Sequence, residues 1–159
     1  IFYQVKEKNH NAEFWIAGDG PKKKELIDKV ENMRLKGVRF LGNVEHERMP
    51  SVMKKATIFV HATRYESFGI ALVEAMASSL PVISFNVGGI PEVIIDNITG
   101  HLVPYGDKTH FAEAVSDLIN NIDKRKRFGK NGKQHSNNFH WNTIRAYWYK
   151  LYSNLESIE

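Results

Sequence analysis

Two glutamates are the first candidates for chemistry: Glu66 and Glu74, with seven residues between them. Glu66 opens the run Glu66-Ser67-Phe68-Gly69, and Glu74 falls inside Ile70-Ala71-Leu72-Val73-Glu74-Ala75-Met76-Ala77. The second run is apolar on nearly all sides, which predicts a buried helix from Phe68 to Ser79. A helix that begins near Phe68 or Gly69 aims free backbone N–H groups at the preceding loop, and with the helix dipole this makes a site for phosphate. Gly69 lets a phosphate approach the backbone closely. Glu66, beside such a site, is placed to accept hydrogen bonds from sugar hydroxyls. Glu74 lies nearly two turns further on, roughly 8 Å at about 1.5 Å per residue. That separation fits a carboxylate reaching a ribose at the other side of a diphosphate. The competing reading makes Ser67 a helix cap, Glu66 solvated and Glu74 a surface residue. It is weaker for Glu74, whose apolar neighbours leave the helix little polar face, and a lone carboxylate there is costly unless bound.

The elements that must hold these residues alternate between short apolar runs and helical patterns. Ala12–Ala17 reads as a buried strand ending in the turn Gly18-Asp19-Gly20-Pro21. Pro21 suits a first helical turn, Leu26, Ile27, Val30 and Met33 follow at helical spacing, and Gly37 closes that helix. Strands are predicted over 38–41, 57–60, 81–85 and, more weakly, 100–103. Helices are predicted over 46–55, at 88–92, and over about 108–122, 124–136 and 141–156. Alternation of this kind predicts an α/β, Rossmann-like parallel sheet with helices on both faces. A further strand is expected ahead of Ile1, with Ile1–Lys8 as the tail of the helix after it. Ligands bind beyond the carboxyl ends of strands in such sheets, which directs attention to the loops 18–21, 42–44, 61–67 and 86–92.

Length and composition bound the rest. The 159 residues, 42% hydrophobic and 25% charged, suit a single soluble domain over 1–159. The chain lacks a starting Met and a signal peptide and reads as a piece of a longer protein. Cysteine is absent, which excludes disulfides and thiolate metal sites and agrees with a cytoplasmic protein. A net charge of +4 is mild for a nucleic-acid binder and suits an anionic small ligand. Gly18-x-Gly20 is not a dinucleotide fingerprint, because Lys23 stands where a third glycine is required. Lys22-Lys23-Lys24 reads as a solvated first turn, with a phosphate role left open. The histidines, including His46, His61, His101, His110, His135 and His140, are scattered without ligand spacing, and no metal is expected. Lys124, Arg125, Lys126, Arg127, Lys130 and Lys133 form the strongest basic cluster. It reads either as a solvated helix face or as a contact for an acidic membrane surface through Lys124, Arg125 and Arg127. Trp141, Tyr147, Trp148, Tyr149 and Tyr152 crowd the last helix, and most are expected in the core.

Taken together, the run from Glu66 to Ala77, Pro81-Val82-Ile83 and Gly88-Gly89-Ile90-Pro91-Glu92 resemble the nucleotide-sugar-binding half of family 4 glycosyltransferases, retaining enzymes of the GT-B fold. Gly18-Asp19-Gly20-Pro21, Phe40-Leu41-Gly42 and Asn97-Ile98-Thr99-Gly100-His101-Leu102-Val103 fit the same order, so the resemblance covers about residues 12–156. It implies that Glu66, the candidate catalytic residue, holds hydroxyls of the donor sugar. Ser67 and the backbone of Phe68, Gly69 and Ile70 would meet the diphosphate, with Arg64 assisting, and Glu74 the ribose. Gly42, Asn43 and Val44 would line the base pocket, with Gly18 near the same cleft. It also implies an acceptor-binding domain and an Arg and Lys upstream of Ile1. Residues 141–157 would form a terminal helix crossing to that domain, and peripheral attachment at the inner membrane face would follow for a lipid-linked acceptor. No cofactor is implied, the nucleotide-diphosphate sugar being a substrate. The alternatives are a GT-B-like epimerase or phosphorylase, a non-catalytic nucleotide-sugar-binding module, and an NAD-type oxidoreductase, the last opposed by the missing glycine.

Overall fold

The computed structural model describes residues 1–156. The elements in order are α1 (Phe2–Lys8), β1 (Phe14–Ala17), α2 (Lys23–Asn32), β2 (Val38–Gly42), α3 (Met49–Met53), β3 (Phe59–His61), α4 (Ile70–Ala77) and β4 (Val82–Asn86). They continue with α5 (Ile90–Val93), β5 (Gly100–Pro104), α6 (Lys108–Asn120), α7 (Ile122–Ser136) and α8 (Trp141–Glu156). Position 157 of the expected crossing helix lies outside the described residues. All strand pairs are parallel, in the ladders β1–β2 and β3–β4–β5. This is the α/β arrangement expected, with parallel sheets flanked by helices. Among the described residues no helix is long and apolar enough to cross a membrane.

Several boundaries move for identifiable reasons. α4 starts at Ile70 rather than Phe68, because Gly69 stands at φ +92° and cannot belong to a right-handed helix. Its far end is set by Ser79 at φ +63°. β3 sits two residues later than its apolar run, because its pairing begins where β4 begins, at Phe59 opposite Val82. The stretch 46–55 divides into a 3₁₀ turn, His46–Arg48, and α3, with Pro50 in the first turn of the helix. β5 is a full strand, paired with β4 at five positions from Val82↔Gly100 to Asn86↔Pro104. Asp107 and Asn121 cap α6 and α7, accepting from the backbone N–H groups of His110 and Lys124 at 2.9 Å each.

The core is built around β4, which is buried on both faces. Val82 joins Leu72, Met76, Leu80, Ile90 and Met53 on one side. Ile83 and Phe85 join Val103, Phe111, Leu118, Phe128 and Val5 on the other. α4 and α5 therefore cover one face, and α1 and α6 the other. α7 lies close against α4, since an added Cβ at Gly129 would overlap the Ser79 carbonyl oxygen and one at Gly132 would stand 3.2 Å from Met76 Cγ.

Three burial expectations are corrected. β1 is a strand but not a buried one: Phe14, Trp15 and Ile16 are half-buried, Ala17 is exposed, and α2 beside it buries no residue. β1 pairs only with β2, so one edge lacks cover. α4 buries Leu72, Ala75 and Met76 but leaves Ile70 and Ala77 exposed, so its helix is not buried all round. The five aromatics of α8 are all more than half exposed, from 51% for Trp148 to 69% for Tyr149, because α8 packs chiefly on the turn Asn137–Phe139.

The tight seat of α7 on α4 is open to test. Alanine is favoured over glycine in a helix by about 0.5–1 kcal/mol. At Gly129 the obstacle is a backbone oxygen that cannot swing aside, and overpacking costs about 1–3 kcal/mol. Gly129→Ala is expected to lower stability by about 1–2 kcal/mol in urea unfolding. Gly20→Ala, with nothing within 4 Å of the added carbon, is expected to stay within about 0.5 kcal/mol of the parent.

Candidate functional site

β3 and β4 run in register with His61 opposite Ser84, so the loops after them leave the sheet side by side. Ser84 Oγ donates to the His61 carbonyl oxygen at 2.8 Å and ties the two strand ends together. Beyond that tie the loops cross in backbone contact. The Gly89 N–H donates to the Glu66 carbonyl oxygen at 3.0 Å. A Cβ at Gly88 would overlap the Glu66 carbonyl oxygen, and one at Gly89 would overlap that of Ser67. The crossing leaves a cavity of about 610 Å³ at the carboxyl edge of the sheet, lined by Arg64, Tyr65, Glu66, Ser67, Val87 and Gly88.

Glu66 is held from two sides. Its Oε2 lies 3.2 Å from His61 Nε2, and its Oε1 accepts the Phe68 N–H at 3.3 Å. The hydrogen bond from His61, followed by that backbone N–H, holds the carboxyl below the usual glutamate range. The carboxylate is therefore ionised beside the first turn of α4, where the N–H groups of Ile70 and Ala71 make no hydrogen bond among the described residues. Gly69, buried and left-handed, turns the chain into that helix, and Leu72 Cδ1 would stand 2.8 Å from an added Cβ. Phe68 braces the turn by meeting the Phe139 ring edge-on at 5.6 Å. Arg64 is exposed, its guanidinium over the Tyr65 ring at 5.5 Å.

The other sequence candidates gather elsewhere on the same edge. The Gly18 N–H donates to the Gly42 carbonyl oxygen at 2.7 Å, which joins the ends of β1 and β2. Gly42 itself is left-handed at φ +68°, with exposed Asn43 and half-buried Val44 after it. None of these lines the cavity around Glu66. Glu74 bridges the two groups, its Oε1 lying 3.5 Å from Nδ1 of His46 in the turn after β2. Its side chain is 32% exposed, so it is not the enclosed carboxylate that the helix pattern predicts. The face of α4 that carries it looks toward the β2 loop instead of into the core.

Tyr65, Val87 and Gly88 belong to the cavity and were not among the sequence candidates. The signal for Gly88 was legible: a glycine pair two residues past the apolar run 81–85 marks a close backbone approach. Of the basic residues expected to face a membrane, Lys124 donates to Asp117 at 2.7 Å and Arg125 to the carbonyls of Leu118 and Ile119 at 2.9 Å each. Only Arg127 of that trio is exposed. Among the described residues no group of three His, Asp or Glu converges as a metal site.

The Glu66 arrangement has a titration signature. A lowered pKa in the folded state means that stability from this carboxylate is present above the ordinary glutamate value, about 4.3, and is lost as pH falls through the folded value. In carbon-13 NMR the Glu66 side chain is expected to titrate below the ordinary glutamate value, and in His61→Ala its midpoint is expected to move up toward that value.

Comparison with known proteins places this geometry in context. The family model of the glycosyl transferases group 1 matches residues 1–135. An uncharacterized glycosyltransferase of Methanocaldococcus jannaschii is 36% identical over 134 residues, 84% of this chain and 38% of that protein. The GPI3 subunit of phosphatidylinositol N-acetylglucosaminyltransferase from Saccharomyces cerevisiae is 32% identical over 166 residues, 99% of this chain and 35% of that protein. The chain thus spans little more than a third of the length of these relatives. Among solved structures, an Anabaena protein in complex with UDP-glucose shares the fold, with a TM-score of 0.78 over 98% of this chain and 45% of its own, at 21% identity.

Proposed function

The chain belongs to the glycosyl transferases group 1 family, and we propose that it is the donor-binding domain of an enzyme that moves a sugar from a nucleotide diphosphate to an acceptor with retention of configuration. The observation that carries this reading is the start of α4: two free backbone N–H groups, at Ile70 and Ala71, beside an ionised carboxylate at the mouth of a cavity. The helix start attracts phosphate, while the carboxylate repels it and takes hydroxyls. A diphosphate joined to a sugar satisfies both at once.

In this reading the N–H groups of Gly69, Ile70 and Ala71 hold the diphosphate, with Ser67 and Arg64 at its rim. Glu66, kept ionised by His61, orients the sugar hydroxyls. Glu74 meets the ribose, for which it must turn from His46. Gly42, Asn43 and Val44, with Gly18 behind them, receive the base. Charge on the departing diphosphate is met by the helix dipole and by cations, so the step needs no metal. The named transferase activity of the yeast relative supports a hexosyl donor, and UDP-glucose in the Anabaena structure supports a nucleotide one. The acceptor is met by a second domain, so residues 1–159 alone bind the donor without transferring it. A cytoplasmic location goes with a cysteine-free chain.

Titration of the chain with UDP-, GDP- and ADP-sugars, followed through backbone amide NMR, tests the reading. Shifts are expected at Gly69, Ile70 and Ala71 with one of the donors, and their absence with all three would overturn it. Glu74→Ala removes a charged hydrogen bond worth about 1.5–3 kcal/mol, which weakens nucleotide binding roughly 10- to 100-fold.

A further inference from the structure

The amino-terminal edge of the sheet, opposite the Glu66 cavity, carries a second feature. α4 runs from its start at Ile70 to Ala77, about 10 Å away at 1.5 Å per residue. Past its end, Ser79 and α7 enclose a hollow of about 530 Å³ lined by Ser79, Lys126, Lys130, Lys133, Gln134 and Asn137. Gly129 and Gly132 let α7 lie against the Ser79 carbonyl and the Met76 side chain, which makes this hollow a fixed concavity between two packed elements.

α7 holds six cations and one acid, Asp123, and the six divide by face. Lys124 pairs with Asp117, Arg125 caps the carbonyls that end α6, and Arg127 lies over the Phe128 ring at 5.7 Å. Lys126, Lys130 and Lys133, at i, i+4 and i+7, share the remaining face within about 10 Å. All three are exposed, and none has an ion-pair or side-chain hydrogen-bond partner among the described residues. The carboxyl end of α4 beside them supplies only about half a negative charge against three ammonium groups. Asp123, one turn before Lys126 on that face, is the one acid of α7, and no ion pair ties it to the three lysines among the described residues.

The geometry points to a second anion site: Lys126, Lys130 and Lys133 bind clustered phosphate groups, with Ser79, Gln134 and Asn137 supplying hydrogen bonds from the walls. Its charge chemistry fits either the phosphates of an acidic bilayer surface or a soluble condensed phosphate. The site is independent of the donor reading, since it lies at the other edge of the sheet and shares no residue with the Glu66 cavity.

Two probes separate the sources. The first is co-sedimentation of the chain with phosphatidylcholine vesicles, with and without phosphatidylserine. The second is a titration with inorganic pyrophosphate read at the amides of residues 126–137. The triple variant Lys126→Gln, Lys130→Gln, Lys133→Gln is compared with Lys8→Gln, Lys29→Gln, Lys36→Gln, which removes the same charge from exposed positions elsewhere. Each lysine at an acidic bilayer surface is worth roughly fivefold, so the triple variant is expected to lose roughly a hundredfold in vesicle binding, and Lys130→Gln alone roughly fivefold. Loss confined to the α7 variants establishes the site with lipid phosphate as its ligand. Indifference to vesicles, with pyrophosphate shifts that vanish in the α7 variants, establishes it with a soluble anion. Binding of neither probe, or equal loss in the control triple, overturns it.

Discussion

The crossing of two loops at Gly88 and Gly89 is the constraint on which the candidate site depends. The loop after β3 must turn from an extended strand into α4 while presenting Glu66. It can hold that path only because the loop after β4 lies against it with no side chain between. The hydrogen bond from Gly89 to the Glu66 carbonyl oxygen, and the one from Ser84 to that of His61, clamp the loop at both ends. A side chain at either glycine would push the loop out and move the carboxylate away from the helix start. The positions of Ser67 and Phe68 follow from the same contact.

The clamp works because the material beneath it does not move. β4 is buried on both faces, with one set of apolar side chains under α4 and α5 and another under α1 and α6. A strand packed this way has no slack in register, since a slip by one residue would exchange the two faces. The rigidity of β4 is passed to the loops through backbone hydrogen bonds, which do not depend on rotamers. The β1–β2 side has no comparable core, and it meets α4 through exposed His46 and half-buried Glu74. One edge of the candidate site is thus firmly seated, while the other is more lightly held.

Charge is arranged with the same economy. α4 offers its positive end to the Glu66 cavity and its negative end to the lysines of α7. Asp117, the carbonyls that close α6, and Phe128 occupy three of the cations on α7, which leaves a second set of three on the opposite face. A cluster that is one run of basic residues along the chain becomes two different surfaces once the helix winds.

What could be read in the sequence were the features set by local chemistry. Alternation of apolar runs with helical spacing was enough for a parallel α/β sheet. Gly69 before an apolar run marked the turn into α4, and Glu66 beside it was legible as its neighbour. Glu74 was the limit of that reasoning: its apolar neighbours imply burial, yet a third of its side chain is open, because exposure depends on which elements cover a helix face. The aromatics of α8 and the half-covered β1 depart from expectation for the same reason. Spacing along the chain determined which groups share an element and which end of it they occupy. Only tertiary structure decided what lies over each face, because packing joins residues far apart in sequence: His46 to Glu74, Gly88 to Glu66, and Ser79 with Lys130.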